Sequence, residues 1–142
     1  MTSVRESITI PATANDVWQT VRDFGAINEF VPPIISSELS GEGVGAERAL
    51  TLEDGAQVIE RLEALNDEAR TLRYSIVEAP LPITNYASTL SVTAHGDATC
   101  EVTWASEFDV VDAPDDEVAS TFAELYAAGL AGLKEHHAGR TV

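Results

Sequence analysis

Cysteine is almost absent from this chain. Cys100 stands alone, so no internal disulfide can form, and its expected role is that of a small buried hydrophobe. Basic residues are scarce as well. Eight Lys and Arg face 24 Asp and Glu, a formal charge of −16 over 142 residues. Nucleic acid and anionic membrane surfaces are bound through clustered Lys and Arg. The few basic residues here are scattered, so neither partner is expected. The acid excess reads as solubility or adaptation to a salt-rich or crowded interior, with an acidic patch for a basic partner as the alternative. Long apolar runs are missing too. The most apolar stretch, Tyr126 to Leu133, is short and interrupted by two glycines, well below the roughly 18 residues of a membrane span. The first six residues lack the basic-then-apolar pattern of a secretory signal, and a cytoplasmic location is expected.

Most catalytic signatures are lacking as well. Gly41-Glu42-Gly43-Val44-Gly45 is glycine-rich, but no Gly-Lys-Ser/Thr follows and no helix opens there, so it reads as a flexible rim loop and not as a phosphate cradle. There is no dinucleotide fingerprint, no Ser-His-Asp arrangement with recognisable local context and no catalytic-cysteine signature. His136 and His137 are adjacent, so on a helix they point about 100° apart and are poorly placed to share a metal. No cofactor or metal is expected.

The 44% apolar content is that of a folded globular chain, and its length suits one domain over residues 1–142. Ser3 to Ile10 alternates as a strand, with Val4, Ile8 and Ile10 on one face. Thr13-Ala14-Asn15-Asp16 resembles a capping box with Asp in place of Glu. It opens a short helix carrying Val17, Trp18, Val21 and Phe24 and ending at Gly25. A second short helical turn is predicted from Ala26 to Phe30, before Pro32-Pro33. From Ile34 to Val111 the pattern is a run of strands: Ile34–Leu39, Glu47–Glu53, Gln57–Leu65, Arg70–Ala79, Asn85–Ala94 and Cys100–Val111, separated by turn residues. Pro114 to His137 reads as one long amphipathic helix with acidic residues in its first turn, Lys134, His136 and His137 near its end, and Gly139 as the stop. Its predicted inward stripe is Val118, Phe122, Leu125, Gly129, Gly132 and His136, flanked by Tyr126 and Leu133. A glycine inside a helix costs about 1 kcal/mol against alanine. Two on a buried stripe therefore imply either close packing against a sheet or the wall of a cavity.

Register arithmetic selects the side chains that face the helix. A three-residue Asp54-Gly55-Ala56 turn pairs Leu52 with Val58, Leu50 with Glu60 and Arg48 with Leu62, all on one face. Continuing across the next hairpins adds Leu72, Tyr74, Ile76 and Glu78, then Tyr86, Ser88, Leu90 and Val92, then Phe108, Ser106, Trp104 and Val102. This face is apolar apart from Arg48, Glu60, Glu78, the tyrosines and the serines. Buried charges are costly unless paired. They form a structural salt-bridge cluster, sit at the open end near water, or serve as a polar anchor or general acid/base for a bound molecule. Glu78 is the preferred base, because the Pro80-Leu81-Pro82 turn and Tyr86 adjoin it.

Taken together, the opening strand followed by Pro11-Ala12-Thr13-Ala14-Asn15-Asp16-Val17-Trp18, Gly43-Val44-Gly45 before a strand, Glu60-Arg61-Leu62, Ile76-Val77-Glu78-Ala79-Pro80-Leu81-Pro82-Ile83 with Asn85-Tyr86, and the closing helix resemble the START-like polyketide cyclase/dehydrase and lipid-transport families of the SRPBCC superfamily. The resemblance covers essentially the whole chain. It implies an α+β helix-grip fold, with a curved antiparallel sheet of about seven strands around the C-terminal helix and two short helices after the first strand. It also implies a cavity between sheet and helix for a lipid, hormone, polyketide or other apolar molecule. No catalytic set is shared across the superfamily, so none is carried over.

Three functions are weighed. The first is binding of a small apolar or aromatic molecule. The second is a cyclase or dehydratase with Glu78 or Glu60 as base and Arg48 or Tyr86 steadying an enolate. The third is an acidic interaction or maturation protein without ligand. The candidate ligand-contacting residues are Arg48, Glu60, Tyr74, Ile76, Glu78, Tyr86, Ser88, Leu90, Trp104, Phe108, Phe122, Leu125, Tyr126 and Gly129. The loop at 41–45 and the turn at 80–84 are candidate gates, and a homodimer is compatible with this shape.

Overall fold

A computed structural model of the chain describes residues 1–138. Strand β1 (Thr2–Ile10) leads into helix α1 (Ala14–Val21), a 3-10 segment (Phe24–Glu29) and strands β2 (Ile34–Ser40), β3 (Glu47–Leu52), β4 (Gln57–Asn66), β5 (Thr71–Glu78), β6 (Ile83–Ala94) and β7 (Cys100–Val110). Helix α2 (Asp115–Ala138) closes the chain, and the expected stop at Gly139 lies outside the described residues. All pairings are antiparallel, in the order β1-β7-β6-β5-β4-β3-β2, so the two outermost strands do not meet and the sheet stays open.

Local sequence accounts for the short helices. Thr13 caps α1, its Oγ1 accepting from the Asp16 amide at 3.1 Å. Val17, Trp18 and Val21 turn inward. The buried Trp18 donates its indole N–H to Asp67 Oδ1 at 2.8 Å, and Arg22 Nε donates to the same oxygen at 2.7 Å. Asp67 sits in the β4–β5 turn, so this clasp holds α1 to the sheet. The Arg22 hydrogen bond, followed by that of Trp18, lowers the Asp67 pKa from the usual carboxylate range.

The β3–β4 hairpin keeps the predicted inward face but not the predicted pairs. Leu52 N donates to Ala56 O at 2.9 Å, which closes a three-residue turn over Glu53, Asp54 and Gly55, one position earlier than Asp54-Gly55-Ala56. Thr51 therefore faces Gln57, Leu50 faces Val58, and Arg48 faces Glu60 in place of Leu62. A two-residue slip leaves every side chain on its own face. Its consequence is electrostatic: the face's one arginine now stands opposite a carboxylate.

The long helix is rotated from its predicted setting. Its buried residues are Phe122, Tyr126, Gly129, Leu130, Leu133 and His137. Leu125 and His136, predicted to point inward, are half-buried. A stripe at strict 3.5-residue spacing drifts around a straight helix by about 20° per heptad. Here the drift favours Tyr126, Leu130 and Leu133, which have side chains to bury where the glycines have none.

Candidate functional site

Between the sheet and α2 lies a cavity of about 60 Å³, lined by Ile27, Ile34, Leu50, Leu52, Val58, Glu60, Tyr74, Ile76, Leu81, Tyr86, Trp104, Phe122, Leu125 and Tyr126. At roughly 10–15 Å³ per water, it has room for a few waters. A second cleft of about 430 Å³ lies where β5 and β6 part beyond the Ser75–Ala87 pair. Its lining residues are Ile76, Val77, Glu78, Ala79, Ile83, Thr84, Asn85 and Tyr86. Ile76 and Tyr86 line both spaces, so these two side chains form the partition between them. The parting follows from a bulge in β6. Thr84 faces Asp109 but Ala87 faces Glu107, and Asn85, between them, has φ 55°.

Glu60 is the cavity's carboxylate. Its side chain is 9% exposed and that of Arg48 3%. Arg48 Nε donates to Glu60 Oε1 at 2.8 Å, with Nη2 at 2.7 Å from the same oxygen. Arg48 Nη1 donates to the Phe24 carbonyl at 2.9 Å, and the guanidinium lies over the Phe24 ring, 3.8 Å from its centroid. Burial raises the Glu60 pKa, and the Arg48 charge and hydrogen bond oppose the shift.

Opposite Glu60 is a line of hydroxyls. Trp104 Nε1 donates to Tyr74 Oη at 3.1 Å and to Ser88 Oγ at 2.9 Å, and Ser88 donates to the Ala105 carbonyl at 3.1 Å. Tyr74 and Tyr86 share a hydrogen bond at 3.3 Å, and Tyr86 and Tyr126 share a short one. Burial raises all three phenol pKa values, that of Tyr126 to about 12, so all three keep their protons at neutral pH. The Trp104 ring stacks on Tyr126 with centroids 4.4 Å apart.

The candidates separate into three groups. Glu60, Tyr74, Ile76, Tyr86, Trp104, Phe122, Leu125 and Tyr126 line the cavity. Arg48, Ser88, Leu90, Phe108 and Gly129 are buried behind that wall and do not line it. Glu78, the preferred base, is exposed and stands on the opposite face. The cause is a bulge: Glu60 faces Ile76, but the preceding Ile59 faces Glu78, so β5 gains one residue and its alternation reverses. Glu78 is thus removed from the cavity, though it borders the outer cleft.

Leu50, Leu52 and Val58 belong to the predicted inward face and join the lining, as does Leu81 from the 80–84 turn. Ile27 and Ile34, which also line it, carry no signal beyond being apolar residues in short elements. The glycine loop, the other candidate gate, stands apart from the cavity wall. Gly45 N donates to Leu62 O at 2.8 Å, and none of the cavity's lining residues comes from 41–45.

The glycines of α2 have a steric explanation. A Cβ at Gly129 would lie 2.7 Å from the Trp104 ring, and one at Gly132 would lie 1.9 Å from the Phe30 carbonyl oxygen. Both positions are occupied by neighbouring protein. Close packing, not a notch in the cavity wall, accounts for them.

An open antiparallel sheet holding a long C-terminal helix over a small interior cavity defines a helix-grip protein. Residues 1–138 match the family described as polyketide cyclase / dehydrase and lipid transport, and the chain belongs to that family. Among solved structures it is similar to the protein XoxI of Bacillus cereus, with 36% identity, a TM-score of 0.90, and 96% of this chain and 95% of that one covered. The fold is shared with the Zhui aromatase/cyclase of a Streptomyces species, at 16% identity and TM-score 0.85 over 99% and 95% of the two chains. It is also shared with norcoclaurine synthase of Thalictrum flavum, at 18% identity and TM-score 0.79 over 99% and 88%. No protein of curated function matches the sequence. Among the described residues no helix is long and apolar enough to cross a membrane.

Proposed function

We propose that this protein binds a small aromatic or apolar molecule at the cavity between the sheet and α2. The observation that carries the reading is the composition of the wall: nine aliphatic or phenyl side chains converge there on one buried carboxylate, three tyrosine hydroxyls and an indole. An apolar surround with a few convergent polar groups is the usual make-up of a small-molecule site. Volume limits the ligand. An apolar cavity of about 150 Å³ takes one benzene ring, so 60 Å³ requires side chains to give way. Leu81, at 36% exposure, and the half-buried Ile76 and Leu125 are the movable parts of this wall. Displacing Ile76 joins the cavity to the outer cleft and gives a ligand larger than one ring somewhere to extend. The Zhui aromatase/cyclase and norcoclaurine synthase are enzymes on the same fold, which supports a ligand between sheet and helix without specifying its chemistry.

Native mass spectrometry of protein purified from its own host tests the reading. A retained apolar molecule of a few hundred daltons, lost when Tyr86→Trp fills the partition, is the expected result. An empty protein that gives no chemical-shift change at cavity residues with small aromatic probes would overturn it. In that case a salt-sensitive complex with a basic protein would favour the acidic exterior as the working surface.

Glu60 supports a second, enzymatic reading. A carboxyl whose pKa is raised by burial, beside phenols that remain protonated, can take a proton next to a carbonyl while a tyrosine steadies the enolate. Under that reading Glu60→Gln abolishes turnover and spares binding. Equal loss of both leaves binding as the sole role.

A further inference from the structure

The two outer strands of the sheet have different surroundings. Helix α2 packs along β1, and Thr2 Oγ1 of β1 donates to Asp115 at the start of that helix at 3.3 Å. Strand β2 is bonded on one side to β3, and among the described residues no backbone hydrogen bond from 35–40 goes to any other element. Five of its seven residues are exposed, with Ile35 at 58% and Leu39 at 48%. A free strand edge invites pairing with another chain, and proteins blunt such edges with lysine, proline or a bulge. β2 has neither lysine nor proline. Its bulge lies at its start, between Ile34 and Ser36, and Ser36 to Ser40 run in unbroken register with β3.

The strand Ile34-Ile35-Ser36-Ser37-Glu38-Leu39-Ser40 reads as half of a symmetric pair. A twofold axis perpendicular to the sheet joins two copies of an edge strand antiparallel. It keeps both concave faces on one side, so a residue can oppose only itself or one an even number of positions away. With the axis at Ser37, Ile35 faces the second copy's Leu39 and Leu39 faces its Ile35, so both exposed aliphatics acquire a cross-strand partner. Glu38 faces the second copy's Ser36. With the axis at Glu38, the two glutamates would oppose each other in a chain of charge −16. With the axis at Ser36, Leu39 would meet Pro33, which has no N–H to donate.

The Ser37 side chain is an independent mark of the same register. Its hydroxyl oxygen is buried and, among the described residues, has no hydrogen-bond partner. With the axis at Ser37 the two Ser37 side chains stand directly opposite each other on the concave face, their Cβ atoms about 5 Å apart. One hydroxyl then donates to the other. We infer that β2 is a self-association edge, at which two copies pair β2 to β2 about Ser37 and merge their seven-stranded sheets into one. One strand from each copy buries less than the roughly 1,200 Å² of a stable interface, so the dimer is weak and forms at high protein concentration. The negative charge of both copies opposes it, and salt therefore favours it.

Sedimentation equilibrium of the full-length protein, up to about millimolar concentration, reads the association. Raising NaCl from about 0.1 to 1 M shortens the screening length from about 10 to 3 Å and should increase the dimer fraction several-fold. Leu39→Lys reduces the repulsion between copies but sets a cation against Ile35, and it should abolish the dimer. Cysteine cross-linking reads the register. Ser36→Cys and Glu38→Cys lie at exposed positions and oppose each other across the pair, within disulfide reach. An equimolar mixture of the two variants should therefore cross-link several-fold faster than either alone. Cys100 is fully buried and takes no part. A protein that stays monomeric at high salt, a dimer that survives Leu39→Lys, or single-cysteine variants that cross-link as fast as their mixture would each overturn the proposal.

Discussion

Truncating Glu60 to alanine is expected to destabilise the protein by about 3–5 kcal/mol, because it strands the Arg48 charge in a dry interior. The Arg48 side chain is 3% exposed, and its charged partner is Glu60. Removing both charges is a different experiment. In Arg48→Met/Glu60→Leu only the Phe24 carbonyl loses a partner, so the double variant should lose no more than about 1–3 kcal/mol. Urea unfolding midpoints of the two variants decide the matter. A double variant as damaged as the single one would mean that the pair is itself strongly stabilising.

The same pair predicts a pH dependence. Burial raises the folded-state Glu60 pKa above its unfolded value, so in the interval between the two the native state binds more protons than the unfolded state. Unfolding free energy contributed by this group therefore falls as pH rises through that interval. Subtracting the double variant's pH–stability curve from that of wild type should show this negative slope. A positive slope would contradict the burial-dominated shift.

Gly132→Ala should also be strongly destabilising, against the usual rule. In an open helix the change gains about 1 kcal/mol. Here the new methyl would lie 1.9 Å from the Phe30 carbonyl oxygen and 3.4 Å from Pro32 Cδ. Backbone cannot yield as a long side chain can, so α2 or the 3-10 segment must move, at a net cost of about 1–3 kcal/mol. Gly129→Ala should cost a similar amount. The Trp104 ring it meets at 2.7 Å is held by the Tyr126 stack and two hydrogen bonds. Thermal melts of both variants check this. Variants as stable as wild type would show that the glycines border free space.

The sequence reveals most of the fold through short-range patterns. Alternation places each strand, Thr13 marks a helix start, and proline and glycine mark the ends. Parity also survives across hairpins, so alternation alone puts Glu60, Tyr74, Tyr86 and Trp104 on one face. What parity cannot reveal is a bulge. One added residue on β5 sends Glu78 outside, and the signal for it is absent from a sequence such as Ile76-Val77-Glu78, which alternates poorly in either setting. The Arg48–Glu60 pairing is hidden for a related reason. It depends on where the turn sits, and Asp54-Gly55 is compatible with a three-residue turn at 53–55 or at 54–56. The rotation of α2 is equally hidden, because glycine contributes nothing to a hydrophobic stripe. The stripe's true line is set by what packs into the space that glycine leaves.

The segment from Phe24 to Phe30 is anchored at both ends by its backbone oxygens. At one end the Phe24 carbonyl accepts from Arg48, which holds the cavity carboxylate. At the other the Phe30 carbonyl is seated against Gly132 of α2. These seven residues act as a strut between sheet and helix, and the gap it spans contains the cavity. The room available to a guest is therefore set by a length of main chain as well as by the side chains that line it. Relatives that share every lining residue but lengthen this strut by a single residue would enclose a different volume.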